Sequence, residues 1–162
     1  MSANVSVDFD KLKSAHPSHH EIGKMIDVPS YVDETCSVQV SWALNHAGAI
    51  IANYAYPDPQ IYKGKVRAYQ GRDGLNYIFA VPDLRVYLDN TFGVAENYKG
   101  SKDEMQAKIQ GRHGILAFGH RHIDLWEGAR FHWQALYLDL WTFESTKKRG
   151  IFFWEVTSRW GF

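Results

Sequence analysis

The spacing of apolar residues changes once along this chain, and that change constrains the fold more than any other feature. Before Gly114 apolar residues recur at helical intervals, and after it they come in short runs of strand length. The clearest helical segment carries Val40, Ala43, Leu44 and Ala47 at i, i+3, i+4 and i+7, with Asp33 or Thr35 available to cap its start and Gly48 to end it. Phe9, Leu12, Ile22 and Ile26 mark two shorter helical stretches on either side of a turn from His16 to His20. Pro82 opens another helix at its first position, with Leu84, Leu88 and Phe92 as its buried stripe and Gly93 as its stop. Ser101 to Glu104 reads as a capping box for a helix bearing Met105 and Ile109, and the Tyr-, Pro- and Gly-rich stretch from Tyr54 to Gly74 reads as a long loop. Strands are expected at Ile115 to Phe118, His122 to Trp126, Phe131 to Trp141 and Ile151 to Val156, with a turn at Glu127-Gly128. Helices first and an antiparallel sheet second make an α+β fold, and residues 1–162 suit one catalytic domain.

Composition narrows the function. Lysine plus arginine and aspartate plus glutamate number 18 each and are mixed along the chain, so the basic stripe expected of a nucleic-acid binder is missing. No segment reaches the roughly 18 apolar residues a membrane helix needs, and residues 1–8 have no apolar signal-peptide core. The expectation is a protein without membrane insertion, cytosolic in its producer unless another machine exports it or a leader has been removed. The 24 Trp, Tyr and Phe residues exceed what a small core requires, so some are expected to line a groove.

The chain has one cysteine, Cys36, and eight histidines. A lone cysteine cannot close an internal disulfide and makes a cysteine-based zinc site improbable. Left to itself it would read as a small buried hydrophobe. Its place in the first turn of the Val40–Ala47 helix changes that reading, because orphan N–H groups and the positive end of the helix dipole favour an anion there. A thiolate at a helix start and an imidazole on a neighbouring strand are what amide cleavage needs, one as nucleophile and the other as proton carrier. A third polar group usually fixes the imidazole tautomer. The histidines at 16, 19 and 20, with Pro17 among them and no acidic or cysteine partner at ligand spacing, read as a polar turn rather than a metal site.

These elements resemble the fourth family of type VI secretion amidase effectors, relatives of the NlpC-type papain-like peptidases. Cys36 with Ser41, Leu44, Asn45 and Gly48 matches the family's nucleophile helix. Tyr77 to Gly93 resembles its second helix with the aromatic strand before it, Gly114-Ile115-Leu116 its Gly-Ile strand, and His122, Leu125, Trp126 and Gly128 its His-x-x-Leu-Trp-x-Gly motif. The likeness runs in order from about Phe9 to the end of the chain. It implies a papain-like, NlpC-like fold with Cys36 as nucleophile and His122 as base. It also implies hydrolysis of the D-glutamyl–meso-diaminopimelate amide in peptidoglycan stem peptides, delivery into the periplasm of rival bacteria, and a small cognate immunity protein as partner. It implies no metal and no organic cofactor.

The sequence departs from the family pattern in two places. The Asp that follows the His motif in the family has no counterpart in residues 129–134, so the third catalytic role is expected to fall to His132, with Gln134 and then Asp124 behind it. The loop before the base is shortened to Gly119-His120-Arg121, which makes His120 a competitor of His122. Tyr31, Trp42 and Trp126 are expected to wall the substrate groove. The missing Asp leaves open a degenerate module of the same fold that binds wall peptide or a protein partner without cutting it. Transglutaminase or deamidase chemistry on another amide is a further alternative.

Overall fold

The change in apolar spacing marks the point where the chain passes from helices to its main sheet. The computed structural model describes residues 7–17, 22–32, 34–51, 66–128 and 139–157. In order these form α1 (Phe9–Ala15), α2 (Ile22–Met25), α3 (Cys36–His46), β1 (Ala68–Gln70), β2 (Asn76–Ile78), α4 (Val81–Phe92), β3 (Glu96–Tyr98), α5 (Lys102–Ile109), β4 (Gly114–Phe118), β5 (His122–Trp126), a 3₁₀ turn (Leu140–Thr142), α6 (Glu144–Arg149) and β6 (Ile151–Glu155). The main sheet is antiparallel in the order β3-β6-β4-β5, and β1 and β2 form a separate antiparallel pair. Among the described residues no helix is long and apolar enough to cross a membrane.

All five residues of β4 are buried, and strand alternation divides them between two cores. Ile115 and Ala117 join Leu12, Leu44, Leu84 and Leu88 of the N-terminal helices. Leu116 and Phe118 join Met105 and Ile109 of α5 and Trp141 of the 3₁₀ turn. β6 follows the same rule, with Trp154 in the first core and Ile151 and Phe153 in the second. Both faces of β4 and β6 are therefore covered, which explains why these two strands read as nearly continuous apolar runs rather than as alternating ones.

α3 is held in place by its own polar residues. Ser41 Oγ donates to the Ile78 carbonyl and accepts from the Ile78 amide, each at 3.1 Å. Asn45 Nδ2 donates to the Asn76 carbonyl at 2.9 Å, and its Oδ1 accepts from the Ile51 amide at 2.7 Å. The Ser and Asn of the nucleophile motif thus bolt the helix to β2. Val40, Ala43 and Leu44 are wholly buried beneath them. Gly48, at φ +96°, ends the helix in a conformation that side chains disfavour.

Several expectations need correction. The long loop from Tyr54 to Gly74 contains β1, and Gly71 closes the turn toward β2 by donating to the Leu75 carbonyl at 2.8 Å; three-residue strands carry too little periodicity to read. α4 begins at Val81, so Pro82 lies inside its first turn. β3 and α6 were not expected, because Glu96–Tyr98 and Glu144–Arg149 are short and mostly polar. Most of the strand expected over Phe131 to Trp141 lies outside the described residues; where the chain resumes, Leu140 and Trp141 belong to the 3₁₀ turn.

Candidate active site

Cys36 is the first residue of α3, preceded by Thr35 as N-cap. Thr35 does not cap with its side chain. Its ψ of 3° is far from the extended value of a capping residue, and its Oγ1 instead accepts from Gln39 Nε2 at 3.0 Å. Asp33, the other expected cap, lies outside the described residues. The first turn also holds no acidic residue. An amide-rich, positively polarised helix end is thus left beside the thiol, in a cleft of about 360 Å³ lined by Tyr31, Ser37, Phe79, Pro82, His120 and Arg121 among others.

β5 supplies the imidazole. His122 begins the strand, opposite Phe118 of β4, and Asp124 stands two residues on, opposite Leu116. Period-two geometry places both side chains on one face, and His122 Nε2 lies 3.4 Å from Asp124 Oδ2. That separation is at the loose end of hydrogen-bond geometry. Burial by itself would push the His122 pKa down; hydrogen bonds to Asp124 and Cys36, together with their charges, outweigh it and raise the pKa to about 10. With Nε2 turned to Asp124, Nδ1 is the nitrogen left for the thiol.

Asp124 is itself only 2% exposed. Its Oδ1 accepts from the Leu125 amide at 2.7 Å and lies 3.5 Å from His16 Nε2. His16 is also buried. In sequence it reads as part of a polar turn, and the helix pattern gives no sign that the end of α1 meets β5. The competitor His120 does line the cleft, but burial and the charges of Arg85 and Arg149 push its pKa down. Its backbone N–H is taken by Ser145 Oγ at 2.9 Å.

Of the expected groove walls, only Tyr31 is at the cleft, 61% exposed. Trp42 stacks on His46 with ring centroids 3.9 Å apart and packs toward Tyr77. Trp126 is buried against Trp141 and donates its indole N–H to the Ile109 carbonyl at 3.0 Å. The Trp126 ring is used by the interior, where an indole can bury its apolar body and still satisfy its donor, and Trp42 is partly buried against the cluster of Ile22, Val38 and Tyr77. His132 and Gln134 lie outside the described residues. Arg67, Arg121 and Phe79 were not singled out from sequence, and all three line the cleft. Arg121 pairs with Glu34 at 3.1 Å and Arg67 with Asp83 at 2.7 Å.

A cysteine at a helix start, facing a strand histidine across an α+β fold, defines the papain-like class of the NlpC kind. Within that class the chain belongs to the Tae4 family, type VI secretion system amidase effector protein 4, whose model matches residues 32–154. It is therefore an amidase effector of type VI secretion. Solved structures agree on the fold. The Tae4–Tai4 effector–immunity complex from Enterobacter cloacae superposes with a TM-score of 0.70 at 16% identity, covering 94% of this chain and 100% of that one. Tae4 from Enterobacter cloacae on its own gives 0.68 at 17%, covering 96% and 99%. The Tae4–Tai4 complex from Salmonella Typhimurium gives 0.63 at 24%, covering 80% and 88%. No curated protein matches the chain in sequence.

Proposed function

We propose that this chain is a one-domain cysteine amidase that hydrolyses the D-glutamyl–meso-diaminopimelate amide of peptidoglycan stem peptides, with Cys36 as nucleophile, His122 as general base and acid, and Asp124 as orienter. One observation carries the reading: the cysteine sits at the uncapped start of α3 and interacts with His122, whose Nε2 faces the buried Asp124 carboxylate. His122 takes the Cys36 proton, and the thiolate attacks the amide carbonyl. The N–H groups at the start of α3 stabilise the oxyanion. His122 then protonates the leaving amine, and water, deprotonated by the same imidazole, releases the acyl group from sulfur. Arg67 and Arg121 at the cleft give the carboxylates of such a stem peptide cationic partners. Asp124 takes the third role here because it is the acid within reach of His122; His132 remains the rival to be compared with it.

In this reading the effector acts in the periplasm of a target bacterium, and a small cognate immunity protein blocks it, as the names of the matched Tae4–Tai4 complexes support. The deciding experiment incubates purified Gram-negative peptidoglycan with the protein and with Cys36→Ala and identifies the products by mass spectrometry. New D-glutamate carboxyl and diaminopimelate amine ends with the wild type alone are expected. Fragments cut at another amide would overturn the bond assignment, and binding without cutting would overturn the enzyme reading. Expression in the periplasm of a Gram-negative host should lyse the cells, whereas expression in the cytoplasm should not.

A further inference from the structure

His16 takes no direct part in the reaction proposed above. It sits at the C-cap of α1, where its own N–H donates to the Leu12 carbonyl at 3.0 Å. Pro17 follows it, and a residue before proline is driven out of the helical region; His16 accordingly takes φ −66°, ψ 126°. The sequence His-Pro thus ends α1 and fixes this residue where its ring meets β5.

The contact it makes there is expensive in a fold of this size. The side chains of His16 and Asp124 are 1% and 2% exposed, with Nε2 and Oδ1 3.5 Å apart. A buried carboxylate must be surrounded by donors or it destabilises the fold by several kcal/mol. Among the described residues three nitrogens face this carboxylate, and they divide cleanly. The Leu125 amide and His16 address Oδ1, and His122 addresses Oδ2. Fixing Oδ1 from two sides sets the plane of the carboxylate and with it the position of Oδ2.

We propose that His16 is a positioning residue for the amidase reaction: by holding Oδ1 of Asp124 it presents Oδ2 to His122 and so keeps that imidazole aimed at Cys36. The inference rests on the Cys36–His122 reading. Among the described residues, the ionisable groups facing His122 are Cys36 from α3 and Asp124 from its own strand, and those facing Asp124 are His122 and His16. Without His16 the carboxylate is free to rotate or to take up a proton, and either event withdraws its support from the imidazolium.

The test compares His16→Phe, which keeps ring volume and removes the donor, with His16→Gln, whose amide restores one. His122 is followed by the ¹³Cε1 shift of labelled histidine against pH, and turnover on peptidoglycan is followed in parallel. In His16→Phe, kcat should drop about 10–100-fold, the usual loss when an outer partner of a functional group is removed. KM should hold, and the His122 titration should move down by about one pH unit, a tenfold change in proton affinity. His16→Gln should stay within about threefold of wild type and leave the titration in place. If His16→Phe fails to fold, His16→Asn, a donor too short to reach, carries the same expectation. An unmoved His122 titration in a folded donor-less variant would overturn the proposal. So would equal losses in His16→Gln and His16→Phe, since that marks a packing role. The underlying pair is checked separately: if His122→Ala leaves the alkylation rate of Cys36 by iodoacetamide unchanged across pH, the nucleophile–base reading fails whatever His16 does.

Discussion

Two helix starts in this protein are built in opposite ways. At α5, Ser101 Oγ accepts from the Glu104 amide, the Glu104 carboxylate accepts from the Ser101 amide, each at 3.2 Å, and Asp103 and Glu104 place negative charge in the first turn. That end is finished within itself. At α3 the N-cap side chain bonds elsewhere, no acid occupies the first turn, and the residue at the first position is the cysteine. A helix start costs stability when its N–H groups lack a side-chain partner. The end that forgoes one is the end that faces the cleft. The same local physics thus serves stability in one place and leaves polar groups ready for a substrate in the other.

The strongest way to break the contrast is to remove the thiol. Cys36→Ala should abolish peptidoglycan hydrolysis while the thermal midpoint stays close to wild type; retained turnover would show that the α3 start is not where the chemistry happens. His122→Ala should match it, since the pair works as a unit. Asp124→Asn keeps the shape and loses the charge, and kcat should fall by about 10²–10⁴, approaching the loss seen when a triad loses control of its histidine tautomer. His132→Ala should cost less than Asp124→Asn. The reverse order in a side-by-side kcat measurement would hand the orienting role to His132.

A smaller effect concerns pH. His122 has an ordinary value of 6.5 and is held near 10 in the fold. The folded chain therefore binds this proton more tightly than the unfolded one, and stability falls as pH rises. The contribution is fully present below pH 6.5 and is lost by about pH 10. Urea midpoints measured across that window should decline in the wild type and decline less in His122→Ala. Parallel slopes would refute the raised imidazole. Smallest of all are the caps. Ser101→Ala should cost about 1 kcal/mol of unfolding free energy with turnover unchanged, and Thr35→Ala no more than a few tenths. Equal costs at the two helices would erase the difference between their starts.

The sequence revealed α3 fully, because Val40, Ala43, Leu44 and Ala47 repeat at a helical interval and Gly48 stops them. The α5 box was equally plain, since Ser101 and Glu104 stand at the one spacing that lets each reach the other's amide. The positions of Cys36 and His122 could be read as candidates, one from the start of a periodic helix and the other from its offset to Leu125 and Trp126. The partners of Asp124 could not. Nothing in the residues around His16 says that α1 ends against β5, and a histidine beside a proline looks like any surface turn. Trp126 misled for a related reason. An indole suits a groove wall and a core equally well, and only the tertiary arrangement shows that Trp126 spends its donor on the Ile109 carbonyl.

The order of parts along the chain has a consequence for when the protein can act. His16 and Cys36 are made early in synthesis, and the β4–β5 hairpin that carries His122 and Asp124 comes much later. Contacts this distant in sequence form only after a large loop has closed, which slows their appearance. A chain still emerging from the ribosome, N-terminus first, holds a thiol with no base beside it. On the proposed reading the Cys36–His122 pair comes into being when β5 docks on α3, so the cell that makes this chain meets it as an inert polypeptide until the β4–β5 hairpin is in place.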